Sequence, residues 1–151
     1  VEIIAIPNAK AAVTEYFQRR GYNVTNTTRP NIVTANKGAT RYVVLTHSKV
    51  QPRVFSRKPY FATTTEAVNE ALSTAHDNDA VPIAIVYHLR GQKEGWTCAN
   101  LACLVNAKHR HERGKETKLF PLATFEPFDL VNAEPLPDLA WAIVEESDGD
   151  E

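Results

Sequence analysis

Nine Lys and Arg residues stand in the fifty residues between Glu15 and Glu66, and no Asp or Glu accompanies them. They are Arg19, Arg20, Arg29, Lys37, Arg41, Lys49, Arg53, Arg57 and Lys58. Cations at this density create a positive field, whose commonest use is contact with the phosphates of a polyanion. The same run excludes another chemistry. Residues 16–65 offer no carboxylate to a hard divalent cation such as Mg²⁺, which takes oxygen ligands. The formal net charge of −1 conceals the asymmetry. Residues 1–60 hold ten bases against two acids, an excess of +8, and residues 61–151 hold seven against sixteen, an excess of −9. The side chains expected to meet phosphate are Arg19, Arg20, Arg29, Arg41, Lys49, Arg53, Arg57 and Lys58. Tyr22, Tyr42, Phe55, Tyr60 and Phe61 are interleaved among them, as sugar or base stacking would use.

Other site chemistries find little support. Five histidines (His47, His76, His88, His109, His111) are scattered, and none stands at a standard ligand spacing. They are expected at the surface or facing phosphate. Cys98 and Cys103 lack the partners of a four-ligand zinc site and are expected as small buried apolar residues. Free thiols suit a reducing compartment, so a cytoplasmic or nucleoid-associated protein is expected. Six glycines form no phosphate-cradling motif, and no serine sits in a nucleophile elbow. No apolar run reaches the roughly 18 residues of a membrane span. The chain has no methionine, so its first residue is not expected to be a native start, and the sequence is expected to be trimmed or excised.

The elements that must position these groups follow from periodicity. Asn8 is an N-cap for a helix with apolar residues at 9, 12, 13, 16 and 17, closed by Gly21. Strand-like runs occupy 22–28, 31–35 and 41–46, with a turn at 36–38, and together predict an antiparallel meander. Residues 48–60, with Pro52 and Pro59, read as a loop with a short edge strand around 53–55. Thr63-Thr-Thr-Glu66 has the capping-box pattern, opening a helix with apolar residues at 67, 68, 71, 72 and 75. The apolar run 81–88 is the expected central strand, with Pro82 near its start. Residues 96–105 read as one strand or two short ones. Residues 108–118 read as a basic solvent loop, and 120–139 as extended chain draped over the body. Residues 145–151, with five acids, read as a disordered tail after a single domain of 1–144. The order is αβββαβ, an α/β chain with a mixed central sheet flanked by helices and a C-terminal extended segment.

That order, together with the local wording, resembles the restriction-endonuclease-like fold, and within it the archaeal Holliday-junction resolvases and other PD-(D/E)XK nucleases. Arg-Pro-Asn-Ile-Val at 29–33 is similar to the family's Pro-Asp-Ile-Val, with Asn31 at the Asp position. Tyr-Val-Val-Leu-Thr-His-Ser-Lys at 42–49 is similar to its Val-Glu-Val-Lys-Ser strand, with Leu45 at the Glu position and His47 at the Lys position. Glu15 lies on the first helix, where many of these proteins keep a metal-associated Glu. The resemblance implies a Mg²⁺ site held by paired carboxylates, with a lysine at the attacking water. Here Asn31 offers one neutral oxygen, Leu45 none, and His47 is a poor ligand for a hard cation. One Asp-to-Asn change alone would suit deliberate inactivation; three altered positions point to a naturally dead site. A rescue would bring Glu66 or Glu70 inward to join Glu15 and Asn31, with Lys49 as a displaced lysine.

Three functions follow as expectations. The first is a non-catalytic DNA-binding module with vestigial positions Glu15, Asn31, Leu45 and His47, no catalytic residue, no metal and no cofactor. The second is a protein-interaction or structural subunit, its basic half pairing with an acidic partner, its own acidic tail, or a second copy. The third is a divergent Mg²⁺-dependent endonuclease. Two-fold dimers, as resolvases form, are implied by the resemblance alone.

Overall fold

Helix α1 (Ala9–Arg19) begins where the sequence places it, the Asn8 side chain accepting the Ala11 N–H at 3.1 Å. It ends in a Schellman arrangement. Gly21, at φ +84°, donates its N–H to Gln18, and Tyr22 donates to Phe17. The computed structural model describes residues 6–27, 29–91, 94–103, 108–112, 114–137 and 139, the side chains of 103 and 108–112 excepted. The expected acidic tail at 145–151 lies outside them.

The meander follows as β1 (Asn23–Asn26), β2 (Ile32–Lys37) and β3 (Thr40–Lys49), all antiparallel, with Lys37 opposite Thr40 across a Gly38-Ala39 turn. Strand β6 (Val81–His88) lies parallel to β3, pairing Tyr42 with Val81 through to Lys49 with His88. Strand β7 (Gly95–Asn100) runs antiparallel to β6 and ends in a 3₁₀ turn, Leu101–Cys103. A two-residue strand, β10 (Glu126–Pro127), closes the order β1-β2-β3-β6-β7-β10, the other four strands forming the second sheet described next. The expected αβββαβ core is present, with its mixed sheet.

Two segments read from sequence as loops are largely strands, and the short edge strand expected around 53–55 is among them. Residues 48–60 complete β3 and then form a hairpin of β4 (Arg53–Phe55) and β5 (Lys58–Thr64). Residues 108–118 form most of a second hairpin, β8 (Lys108–Glu112) and β9 (Lys115–Pro121). The two hairpins join as a second sheet, order β4-β5-β9-β8. Its ladder pairs Phe61 with Phe120 across almost sixty residues of chain, a partner no local window contains. Pro59 precedes the first β5 residue that β9 pairs (Tyr60 with Pro121), so its missing N–H costs that ladder nothing.

Strand parity divides the core. On one face of the first sheet, Ala35, Val44, Ile83, Ile85 and Cys98 meet Ala9, Val13, Tyr16 and Phe17 of α1. On the other, Val43, Leu45, Ala84 and Val86 meet helix α2 (Thr65–Asp77) through Val68, Ala71 and Ala75. The second sheet adds Phe61 and Phe120 to that same face. Burial on both faces explains the near-continuous apolar wording of 81–88. Helix α2 is capped by Thr64, which accepts the Ala67 N–H at 3.2 Å, so the start lies one residue later than expected and Glu66 has no capping-box role. Among the described residues no helix is long and apolar enough to cross a membrane.

Candidate nucleic-acid interface

The positions that the resemblance assigns to metal chemistry do not gather into a metal site. Leu45 is 0% exposed and packs among Ile32, Phe61, Val68 and Phe120. Asn31, just before β2, is half-buried, and its backbone carbonyl accepts the Thr46 N–H at 2.8 Å. His47 has the parity of Leu45; its Nε2 lies 3.1 Å from Thr63 Oγ1 and its ring 5.4 Å from Phe61. Burial, with the Lys49 ammonium and then His88 adding to it, lowers its pKa to about 4, so the imidazole is neutral at pH 7. Glu15 is exposed on α1, across the sheet from Leu45, beside Tyr16, Arg19, Trp96 and Leu130. Of the rescue carboxylates, Glu66 shares a cavity with Asn31 and Thr64, yet both it and Glu70 are held by Arg29. Glu66 Oε1 lies 2.9 Å from Arg29 Nη1, and Glu70 Oε1 3.6 Å from Arg29 Nε.

Mg²⁺ needs converging anionic oxygens. Leucine, a neutral imidazole, one amide and two arginine-held glutamates do not fit it. Among the described residues no group of three or more His, Cys, Asp or Glu side chains could hold a metal ion.

The eight basic residues read from the sequence separate into two populations. Arg19 donates to the Val131 carbonyl at 2.6 Å and Arg20 to that of Ala133 at 2.7 Å. Together with Tyr16, whose hydroxyl donates to the Glu134 carbonyl, they clamp the C-terminal segment onto α1. Burial pushes the Tyr16 pKa up to about 12, keeping that hydroxyl a donor. Arg41 donates to the Asn78 carbonyl at 3.2 Å, where α2 ends. Lys49 donates to the Ala62 carbonyl at 2.9 Å and lies over the Phe61 ring, half-buried. On the β4–β5 hairpin, Arg57 and Lys58 are exposed without an ion pair among the described residues, and Arg53, also exposed, lies over the Phe55 ring at 5.4 Å. Arg41 and Lys49 mark opposite ends of β3, roughly 26 Å apart at 3.3 Å per residue. The eight residues are therefore not one patch.

Sequence reasoning missed Arg90. It lies outside the acid-free stretch, yet its N–H donates to the Val50 carbonyl at 2.7 Å, which brings it beside the hairpin. The available signal was the strand at 81–88: whatever follows a central parallel strand emerges at the carboxyl edge of the sheet, where ligands bind in open α/β sheets. There a cavity of about 340 Å³ opens, lined by Pro52, Val54, Arg57, Pro59 and Arg90 among others. Among the described residues Arg57, Lys58 and Arg90 make no ion pair.

The expected stacking aromatics are largely interior. Phe61 and Tyr60 are buried, and Tyr22 and Tyr42 pack against Phe17 with centroids 5.1 and 5.9 Å away. Arg41 and Tyr42 alternate across β3 by strand parity, whereas Arg53 lies over the Phe55 ring and Lys37 over the Tyr22 ring. His88 also departs from expectation: it is 1% exposed, on the α2 side beside Phe61, with its ring centroid 6.5 Å from that of Phe61.

No protein-family model and no curated protein matches the chain. Among solved structures it is similar to Hjc, a Holliday junction resolvase from the archaeal hyperthermophile Archaeoglobus fulgidus. The identity is 10% and the TM-score 0.56, over 82% of this chain and 91% of that one. A nuclease from a fusellovirus is matched at 11% identity and a TM-score of 0.44, over 94% and 89%. The chain has the restriction-endonuclease-like fold that its wording resembles.

Proposed function

We propose that this chain is a nucleic-acid-binding module on a nuclease-like scaffold, with DNA as its partner and without metal-dependent cleavage of its own. One observation carries the reading. Arg57 and Arg90 line one cavity past the carboxyl ends of β3 and β6, Arg53 and Lys58 are exposed on the same β4–β5 hairpin, and the three hairpin cations belong to a stretch without a single carboxylate. Phosphate binding needs only such donors, and it is sequence-tolerant. The absence of cleavage is supported by Leu45, whose side chain belongs to the apolar core at the position where the resemblance would set a carboxylate. The likeness to a Holliday junction resolvase favours DNA over RNA, through the fold alone.

The test is to incubate the protein with branched, linear duplex and single-stranded DNA, with and without Mg²⁺ or Mn²⁺, and to resolve complexes and products separately. The expected result is retarded but intact DNA under every metal condition. Cleavage abolished by Glu15→Ala or Glu66→Ala would overturn the non-catalytic part. Failure to retard any DNA at low salt would overturn the whole.

A further inference from the structure

The cavity past the ends of β3 and β6 has features that a plain phosphate-contacting surface does not need. Two main-chain bonds continue the parallel pairing beyond the strands, Leu89 N–H to Lys49 O at 3.1 Å and Arg90 N–H to Val50 O at 2.7 Å. They fix Arg90 against the base of the β4–β5 hairpin. Gly91, at φ +131°, closes the contact: a Cβ there would lie 2.6 Å from Pro52 Cδ, so only glycine permits this approach. On the other wall, Ser56 and Arg57 take φ of +51° and +65°, as the two-residue hairpin turn requires. Glycine or asparagine would adopt these angles readily, whereas Ser and Arg carry a cost of roughly 1 kcal/mol each. The turn holds a guanidinium at the rim in spite of it. Between the walls Val54 is 63% exposed, a degree that only Val131 matches among the large apolar side chains of the described residues, and it is flanked by Pro52 and Pro59.

We infer that this cavity receives one nucleotide unit of a bound strand, its phosphate on Arg57 and Arg90 and the apolar face of its sugar or base on Pro52, Val54 and Pro59. The inference rests on the nucleic-acid reading above and narrows it to a place. Two guanidinium groups at one cavity suit a phosphate, because the planar fork donates two parallel hydrogen bonds to its oxygens. A cavity of about 340 Å³ lies at the small end of ligand pockets, the size of one unit and not of a duplex. The apolar wall gives a nucleotide an advantage over bare phosphate. The ligand chemistry is shared by a strand and by a free nucleotide, and the test separates them.

A labelled single-stranded oligonucleotide is titrated by fluorescence anisotropy at low salt into the full chain and into Arg57→Gln, Arg90→Gln and the double variant. Lys37→Gln, which alters a cation bonded to the Arg20 carbonyl at the far end of the sheet, is the control. Each single variant is expected to bind five- to tenfold more weakly and the control unchanged. Adenosine 5′-monophosphate is expected to compete at lower concentration than inorganic phosphate. Oligonucleotide binding that the double variant leaves intact would overturn the cavity's role and spare the module. Absent strand binding with adenosine 5′-monophosphate binding that depends on both arginines would overturn the module and the strand, leaving a free-nucleotide site. Equal competition by inorganic phosphate would overturn the apolar contact.

Discussion

A few residues along β3 separate two regions built in opposite ways. Around Leu45, His47 and His88 the second sheet presses Phe61 and Phe120 onto the first, and polar side chains are enclosed. Just past Lys49 the same sheet lifts away as the β4–β5 hairpin, and cations stand in solvent around an open cavity. Charge alone does not distinguish them, since Lys49 in the first and Arg57 in the second come from one acid-free stretch. Packing does. Where two sheets and a helix converge, a site is closed; where a strand pair runs out, one opens.

The sharpest way to break this contrast is to put back the missing carboxylate. Leu45→Glu places an acid among Ile32, Phe61, Val68 and Phe120, where nothing can pair with it. We expect a loss of about 4 kcal/mol or more in urea unfolding and no gain of Mg²⁺ affinity. A folded variant that binds Mg²⁺ would mean the enclosed region is still a metal pocket.

Acid should unfasten the enclosed region next. Burial, then the nearby Lys49 charge, lowers the His88 pKa from 6.5 to about 4. Between those values the unfolded chain takes up a proton that the folded chain refuses. Stability is complete above pH 6.5 and falls as the pH drops through the window, by roughly 3 kcal/mol for this one ring at 1.4 kcal/mol per unit. His47, shifted to about 4 for the same reasons with His88 adding a third, acts in the same direction. Urea midpoints at pH 7, 5.5 and 4 measure it, and a flat profile would contradict the burial.

A smaller effect has the opposite sign. Neither ring nitrogen of His88 has a hydrogen-bond partner among the described residues. His88→Leu should therefore stabilise the fold by about 1–2 kcal/mol and remove much of the acid dependence. Destabilisation would show that the imidazole does work in the fold that its surroundings do not reveal.

The smallest effect separates arginines that resemble one another in sequence. Arg19→Gln and Arg20→Gln each remove a bond to the C-terminal segment, costing about 1 kcal/mol, and should leave DNA affinity near that of the parent. Arg57→Gln should do the reverse, sparing stability and weakening binding. Equal effects on binding from both ends of the sheet would dissolve the two populations into one diffuse positive surface.

Much of the first sheet was legible. The Asn8 cap, the Gly21 stop, the three-strand meander and the apolar strand at 81–88 all declare themselves within windows of a few residues. The second sheet was legible only at its 53–55 edge strand, because β8 and the first half of β9 are polar and their order comes from a ladder to β5 that no local window contains. Proline at 52 and 59 suggested a loop, while their neighbours form a hairpin edge that tolerates them. Cation positions were readable, but their partners were not: the carbonyls of Val131 and Ala133 lie more than a hundred residues from Arg19 and Arg20. Arg90 escaped notice since its surroundings in sequence are unremarkable and only the parallel pairing carries it to the hairpin.

The most direct measurement is the salt dependence of DNA affinity. With Arg53, Arg57, Lys58 and Arg90 each neutralising one phosphate, log K should fall against log salt with a slope of about −3.6. Affinity should drop on the order of 100-fold between 50 and 200 mM. Replacing the three hairpin cations together by Gln should flatten that slope to about −1. Binding indifferent to salt, or a slope that survives the triple replacement, would contradict the account.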